Sequence, residues 1–139
     1  MILVTGATGF IGSHLMCHLA EKNIFPVAMF RHESNKKRVL KLFQSKYIDA
    51  KERYNKITWR KGDFRDFPSL DSVFVGISHV YHCAGYISMA HRDVKKLLEI
   101  NETIGHEQIH DRVGILHGQK QKTLNDGHFK NARIPKRRL

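Results

Sequence analysis

Cysteine, proline and long apolar runs are all scarce in this sequence. The 139 residues include only two cysteines, Cys17 and Cys83, and three prolines. Two cysteines exclude a disulfide framework and favour a reducing, cytoplasmic compartment. No segment approaches the roughly 18 uninterrupted apolar residues of a membrane span, and residues 1–20 lack the basic start and cleavage site of a signal peptide. We therefore expect one cytoplasmic domain that does not enter a membrane.

Acidic residues are also few, with 13 Asp and Glu against 24 Lys and Arg, for a formal net charge of +11. The basic stretches at 36–61 and 130–138 could attract nucleic acid or another polyanion without sequence preference. No recognition motif or aromatic stacking platform accompanies them, so a specific nucleic-acid partner is not expected. A basic nucleotide- or nucleic-acid-binding module remains the alternative function.

Residues 2–15 carry the most informative pattern of the chain. A β-favouring segment at 2–5 leads into three glycines spaced three apart, and an amphipathic helical pattern follows. Gly6 permits a tight turn, Gly9 lets the backbone approach a pyrophosphate, and Gly12 lets the helix pack closely against the strand. The N–H groups and positive dipole end of that helix would face the anion. The motif predicts a nucleotide-binding turn formed by Gly6, Ala7, Thr8, Gly9, Phe10, Ile11 and Gly12.

Strand and helix patterns alternate along the chain. They predict strands near 2–5, 27–30, 57–60 and 78–82, and helices at 11–22, 36–53, 69–75 and 91–104. This alternation is typical of an α/β fold whose parallel sheet is covered on both faces. The predicted apolar faces are Val39, Leu42, Phe43, Tyr47 and Ile48 on the second helix, and Val94, Leu97, Leu98 and Ile104 on the last.

The Gly-x-x-Gly-x-x-Gly spacing resembles the extended short-chain dehydrogenase/reductase family, which includes NAD-dependent epimerases and dehydratases. The resemblance is strongest to the dihydroflavonol-reductase-like branch. It continues through Gly-Asp-Phe-Arg-Asp at 62–66, Val-Tyr-His-Cys-Ala-Gly at 80–85 and Ile-Asn-Glu-Thr at 100–103, and it ends near residue 104. It implies a Rossmann-type doubly wound parallel sheet, incomplete with about four strands in the order 3-2-1-4, and a dinucleotide cofactor.

The end of the second predicted strand bears on the choice between NAD and NADP. An NAD enzyme usually places Asp or Glu there to bind the ribose 2′-hydroxyl. Here the strand runs into Arg31, whose guanidinium could meet a 2′-phosphate, with Ser34 and Lys36 as possible supports. A solvated basic helix start is the alternative for this segment. We expect NADP as the cofactor, with NAD possible.

The later motifs imply further cofactor contacts by resemblance. In the family, an aspartate at the position of Asp63 binds the adenine amino group, and the following residue, here Phe64, adds backbone contacts. The small residues at the end of the fourth strand, Cys83, Ala84 and Gly85, would let the ribose and nicotinamide lie against the backbone. Asn101 matches an asparagine that orders the active site of the family, and it is the remaining active-site position in this sequence.

The catalytic set of the family is incomplete in this sequence. Family members use a serine and a Tyr-x-x-x-Lys pair, in which the lysine lowers the tyrosine pKa. The Tyr-x-x-x-Lys formed by Tyr47 and Lys51 lies on the second predicted helix, where a core role for the tyrosine is expected. Tyr86 is followed four residues later by Ala90. We expect an inactive cofactor-binding fragment whose parent transfers hydride to or from a small hydroxylated or carbonyl substrate.

Residues 105–139 differ in composition from the preceding segment. They contain eight Lys and Arg against three Asp and Glu, and no convincing strand pattern. We expect a nonhomologous, poorly ordered basic tail after a nucleotide-binding domain at 1–104, as a truncation or frameshift would produce.

The sequence His-Glu-Gln-Ile-His at 106–110 matches the pattern of zinc proteases. His106 and His110 could ligate zinc, with Glu107 as general base. His117 lies one residue too far along for the metzincin spacing, and the preceding hundred residues follow a nucleotide-binding pattern. With ten histidines in the chain, a chance match is expected, so no metal is predicted and zinc is a remote alternative.

Overall fold

The computed structural model describes residues 1–101, Ile109 and Arg112. Over these residues strands alternate with helices. The strands are β1 (Ile2–Thr5), β2 (Val27–Phe30), β3 (Thr58–Lys61) and β4 (His79–His82). The helices are α1 (Phe10–Glu21), α2 (Lys36–Lys46), α3 (Ala50–Asn55), α4 (Phe67–Phe74) and α5 (Val94–Leu98), with 3-10 turns at Glu33–Asn35 and His91–Asp93.

The four described strands form one parallel sheet in the order β3-β2-β1-β4. In the register of the sheet, Val4 of β1 lies beside Ala28 of β2 on one side and Tyr81 of β4 on the other. The α/β class and the parallel pairing predicted from the strand–helix pattern are confirmed, as is the 3-2-1-4 order that the family resemblance implies. Because the strands are parallel, the segments that follow all four of them meet at the carboxyl-terminal end of the sheet.

Two apolar clusters sandwich this sheet, and the strand residues alternate between them. Val4 and Ala28 belong to the first cluster, together with residues of α1, α2 and α3. Leu3, Val27 and Met29 belong to the second cluster, which α4 completes with Leu70, Val73 and Phe74. β2 is buried along its whole length, as expected for an interior strand of a sheet covered on both faces.

The second predicted helix is in fact two helices. α2 ends at Lys46, Tyr47 takes an extended conformation, and α3 begins at Ala50. Tyr47 packs 5.6 Å from the Phe43 ring, and its hydroxyl donates to the carbonyl of Cys17 in α1 at 2.8 Å. The aromatic, β-branched and Asp residues at 47–49 favour helix weakly, so this tertiary bond breaks the helix there.

This break corrects one predicted core residue. Val39 and Phe43 are fully buried, and Leu42 and Tyr47 pack against them, as expected. Ile48, in contrast, is fully exposed because the extended backbone before it turns its side chain away from the helix face.

The helix predicted at 91–104 begins as a 3-10 turn and continues as α5. Its expected apolar face is not covered by the described residues. Val94 and Leu98 are about half exposed, and Leu97 is only partly buried. Ile104 lies outside the described residues. The periodicity predicted the helix correctly, but its burial depends on neighbours that periodicity does not reveal.

The C-terminal end of α4 is held by Arg60 of β3. Its Nη1 donates to the carbonyls of Val73 at 2.8 Å and Val75 at 2.7 Å. These carbonyls lie in the last turn of the helix and directly after it, where a cation also opposes the negative end of the helix dipole. Arg60 therefore connects α4 to β3, the outer strand on the side of the sheet away from β4.

Two described residues beyond position 104 also pack on this side of the sheet. Ile109 packs against the second cluster, and Arg112 donates to Asp71 at 2.8 Å and to the carbonyl of Phe67 at 3.3 Å. These contacts extend past the predicted boundary at 104. The order of the tail as a whole stays a prediction.

Candidate functional site

A cavity of about 280 Å³ lies at the edge of the sheet where the four strands end. Each strand contributes through the segment that follows it. The lining residues are Gly6, Thr8 and Gly9 after β1; Met29, Phe30, Arg31 and Asn35 at and after β2; Gly62, Asp63 and Phe64 after β3; and Cys83, Ala84 and Gly85 after β4. Crevices at this edge of a parallel sheet are where α/β proteins bind ligands.

The glycine turn after β1 is shaped by backbone-to-backbone contacts. Gly6 has φ +64°, a left-handed conformation that favours glycine, and a Cβ there would lie 2.5 Å from the backbone N of Ala84. The N–H of Gly9 donates to the carbonyl of Gly6 at 2.9 Å. A Cβ on Gly12 would lie only 2.1 Å from the same carbonyl oxygen. The glycine turn thus packs closely against the first turns of α1 on one side and against the end of β4 on the other.

The N-terminal end of α1 provides donors suited to an anion. Its N-cap is Gly9, which offers no side-chain hydrogen bond, and the first turn holds no acidic residue. The first N–H groups of a helix have no partner within the helix and carry partial positive charge. A phosphate is the group that such an end binds best.

Four members of the predicted turn do not line the cavity: Ala7, Phe10, Ile11 and Gly12. Ala7 is fully buried in the first cluster, so its side chain serves the core. Phe10 and Ile11 are 82% and 67% exposed at the start of α1, and the Phe10 ring packs 4.6 Å from His14. Their side chains do not line the cavity, although their N–H groups belong to the helix end described above.

Three residues after β2 are predicted to bind a 2′-phosphate, and they differ in their position relative to the cavity. Arg31 lines it. Lys36 instead donates to Glu33 at 2.7 Å and lies 3.8 Å from the centre of the Phe30 ring, and neither it nor Ser34 lines the cavity. Asn35, which the sequence does not predict as a site residue, also lines the cavity. It lies four residues after Arg31 and ends the 3-10 turn Glu33–Asn35, which no sequence pattern reveals.

Asp63 lies at the cavity wall with its backbone anchored to α4. Its N–H donates to the Ser69 hydroxyl at 3.1 Å. Arg65 grips its carboxylate, with Nη2 donating to Oδ2 at 2.9 Å. The hydrogen bonds from Arg65 lower the pKa of Asp63, and Arg31 adds a smaller effect in the same direction. The carboxylate is therefore ionised at neutral pH. The neighbouring Phe64 packs edge-on at 5.4 Å against His82.

The end of β4 closes the cavity with small side chains. Cys83, Ala84 and Gly85 all line it, and burial raises the pKa of the Cys83 thiol. Asn101 clamps the next residue through two bonds: its Oδ1 accepts the N–H of Tyr86 at 2.8 Å, and its Nδ2 donates to the Tyr86 carbonyl at 2.9 Å. Asn101 therefore orders the loop at the rim of the cavity.

Tyr47 is a structural residue. Its hydroxyl donates to the carbonyl of Cys17 at 2.8 Å and to Glu21 at 3.3 Å. Burial, followed by the nearby Glu21 carboxylate, raises the pKa of Tyr47 to about 12. A phenol that gives up its proton so reluctantly, away from the cavity, does not serve as a general acid or base near neutral pH.

Two of the remaining predictions concern metals and membranes. In the part of the chain that the structure describes, no group of three or more His, Cys, Asp or Glu could hold a metal ion. His106, His110 and His117 lie outside those residues. Among the described helices, none has both the length and the apolar character required to cross a bilayer.

The sequence of this chain is similar to those of several known proteins. The sequence model of the NAD dependent epimerase/dehydratase family matches residues 2–109. The bifunctional dihydroflavonol 4-reductase/flavanone 4-reductase of Pyrus communis is 35% identical over 92 residues, which cover 66% of this chain and 25% of the reductase. UDP-glucose 4-epimerase 2 of Arabidopsis thaliana is 31% identical over 109 residues, covering 74% of this chain and 29% of the epimerase.

Solved structures share the fold at lower identity. The yeast methylglyoxal/isovaleraldehyde reductase Gre2, complexed with NADPH, aligns with a TM-score of 0.62 and 20% identity over 83% of this chain and 33% of its own. A short-chain dehydrogenase/reductase superfamily protein from Agrobacterium tumefaciens with bound NAD aligns with a TM-score of 0.60 and 20% identity, covering 84% of this chain and 29% of its own. The chain thus spans about a quarter to a third of the length of these four proteins.

Proposed function

The chain belongs to the NAD dependent epimerase/dehydratase family, and we propose that it binds the adenosine and pyrophosphate part of a nicotinamide dinucleotide, with a preference for NADP. One observation carries this proposal. The glycine turn, the N-terminal end of α1, Arg31 and Asp63 converge on a single cavity, although they follow three different strands. No other described feature of the molecule combines anion-binding N–H groups with both a cation and an acceptor.

Each part of the cofactor has a matching group in the cavity. The pyrophosphate would lie against Gly9 and the first N–H groups of α1, because no side chain at Gly9 blocks the backbone. The 2′-phosphate would meet Arg31, with the Asn35 amide as a second donor in place of Ser34 and Lys36. Adenine would lie beside Asp63 and Phe64, and the nicotinamide ribose beside Cys83, Ala84 and Gly85.

The activity of a complete protein built on this domain would be reduction or epimerisation. The named relatives are a reductase of flavonoids and an epimerase of a sugar nucleotide, and both names imply a small hydroxylated or carbonyl substrate. The bound cofactor would supply the hydride. Within this chain, Asn101 would order the loop through Tyr86 at the cofactor's reactive end. The cytoplasmic location and the alternative of a basic binding module stay predictions from the sequence.

The test is a pair of titrations, one with NADPH and one with NADH, in which binding is monitored by intrinsic fluorescence or by calorimetry. We expect the chain to bind NADPH about tenfold or more tightly, because a charge-assisted hydrogen bond contributes roughly 1.5–3 kcal/mol. Arg31→Ala should weaken NADPH and leave NADH nearly unchanged. Arg38→Ala, which removes an exposed cation of the nearby helix outside the cavity, is the matched control. Equal affinities in the unmodified chain, or an unchanged preference in Arg31→Ala, would refute the NADP assignment.

A further inference from the structure

Arg65 occupies most of the hydrogen-bonding capacity of the Asp63 carboxylate. Oδ1 accepts the backbone N–H of Arg65 at 3.0 Å and its Nε at 3.3 Å. Oδ2 accepts Nη2 at 2.9 Å. A carboxylate offers about four lone-pair sites, two on each oxygen. The pair therefore leaves one acceptor site on Asp63, and that site is on Oδ2.

The backbone beneath the pair is held as firmly as the side chains. The Ser69 hydroxyl accepts the N–H of Asp63 at 3.1 Å and donates to the carbonyl of Asp66 at 2.6 Å. The N–H of Asp66 in turn donates to the carbonyl of Asp63 at 2.9 Å. With its backbone fixed in this way and its carboxylate gripped by a planar guanidinium, Asp63 has little freedom to rotate.

We propose that Arg65 is a positioning residue that makes the cavity selective for an amino-substituted purine. This inference rests on the proposed function, because it assumes that the base of a dinucleotide lies beside Asp63. Arg65 holds the carboxylate so that its free Oδ2 site accepts an N–H from the exocyclic amine of adenine. It does so from the rim of the cavity, since its own side chain is 62% exposed while that of Asp63 is 25% exposed.

The selectivity follows from what a fixed carboxylate cannot do. Hypoxanthine carries a carbonyl where adenine carries the amine, and two acceptors facing each other repel. Hypoxanthine also carries a ring N–H one atom away, which a mobile carboxylate could rotate to reach. Arg65 prevents this adjustment, so the oxygen stays aimed at the position of the amine. The lowered pKa of Asp63 agrees with this picture, because it keeps the carboxylate an acceptor throughout the neutral range.

The experiment compares NADPH with its deaminated analogue, which has hypoxanthine in place of adenine. Calorimetry on the full chain gives both dissociation constants, and their ratio is the quantity of interest. We expect the unmodified chain to prefer NADPH by about tenfold, as for loss of one hydrogen bond to a charged group. In Arg65→Ala the ratio should fall to about threefold or less. In Arg65→Lys it should stay low as well, because an ammonium keeps the charge but not the planar fork.

The ratio separates positioning from a merely structural effect. A variant that only damages the fold weakens both ligands together and leaves the ratio unchanged. Lys61→Ala is the control, because it removes an exposed cation two residues before Asp63 that does not line the cavity, and it should keep the ratio of the unmodified chain. A full ratio in Arg65→Ala or in Arg65→Lys overturns the positioning role. Equal binding of both ligands by the unmodified chain overturns the selectivity alone, whereas no binding of either ligand overturns the proposed function as well.

Discussion

The contact between Gly12 and the turn after β1 gives a prediction that can be worked through from distances. Replacing Gly12 with Ala would place a methyl group 2.1 Å from the carbonyl oxygen of Gly6, 2.7 Å from its carbon and 2.9 Å from the Cα of Ala7. All three atoms are backbone, so no side chain can rotate out of the way. Carbon and oxygen atoms that are not bonded keep at least about 3 Å apart, so α1 must shift by roughly 1 Å.

Such a shift lowers the free energy of unfolding in the way that overpacking a protein core does. One extra methylene in a well-packed site costs typically about 1–3 kcal/mol, and three backbone contacts place this site near the upper end. Displacing α1 also strains the bond from the N–H of Gly9 to the carbonyl of Gly6, which is 2.9 Å long. We expect Gly12→Ala to lower the free energy of unfolding by about 3 kcal/mol, out of the roughly 5–15 kcal/mol typical of a domain.

Urea denaturation, monitored by tryptophan fluorescence, measures this loss of stability. The chain has a single tryptophan, Trp59, which packs 5.6 Å from the Tyr54 ring and 6.1 Å from the Phe30 ring. Its emission therefore reports on the sheet. With slopes of about 1–3 kcal/mol per molar urea, the midpoint should fall by roughly 1–3 M.

Gly85→Ala is the matched control for the same chemical change. A Cβ on Gly85 would lie 3.5 Å from Oδ1 of Asn101, an ordinary van der Waals contact. Its midpoint should stay close to that of the unmodified chain. If Gly12→Ala unfolds at the same urea concentration as Gly85→Ala, the close approach of α1 to the turn does not contribute to stability and the reasoning fails.

Two further predictions concern groups outside the cavity. Arg60→Ala should lower the free energy of unfolding by about 1–2 kcal/mol, because the last carbonyls of α4 lose a charged donor; Lys61→Ala, at the next position and exposed, should not, and equal losses in the two variants would contradict the capping role. Tyr47→Phe should cost about 1 kcal/mol near neutral pH through the lost bond to Cys17. Because the pKa of Tyr47 is raised from 10.0 to about 12 in the folded chain, its contribution is complete below pH 10 and lost as the pH rises towards 12. Denaturation at pH 8 and pH 11 should therefore show a smaller difference between Tyr47→Phe and the unmodified chain at the higher pH, and a constant difference would contradict it.

The parts of the fold that could be predicted are those with local causes. β1 and β2 were located at their observed residues, because runs such as 2–5 and 27–30 are β-favouring and end at turn or charged residues. The break at Tyr47 could not be predicted in this way. It depends on a hydrogen bond to Cys17, which is 30 residues earlier in the chain. The exposure of Val94 and Leu98 likewise depends on which other elements pack nearby.

The candidate site shows the same difference between features with local causes and features that depend on tertiary contacts. Gly6 and Gly9 are predicted by the glycine motif that follows a strand, and Asp63 is implied by the family resemblance; all three line the cavity. Lys36 pairs with Glu33 and does not line the cavity, which composition cannot reveal, and its predicted support of a 2′-phosphate stays a prediction. The sequence does not predict the role that we propose for Arg65, because a lone exposed arginine two residues from an aspartate has no distinctive pattern until the geometry of the pair is known.

The strand order also bears on how the chain folds during synthesis. β1 is made first, yet it lies in the interior of the described sheet, and its contact with β4 joins Thr5 to His82 across 77 residues. One side of β1 can pair as soon as β2 emerges, but the other side waits until β4 has left the ribosome. Contacts so distant in sequence slow folding, because a long loop must close before they form. During that interval the glycine turn lacks the wall that Cys83 and Ala84 provide, so the cavity can form only after β4 has docked.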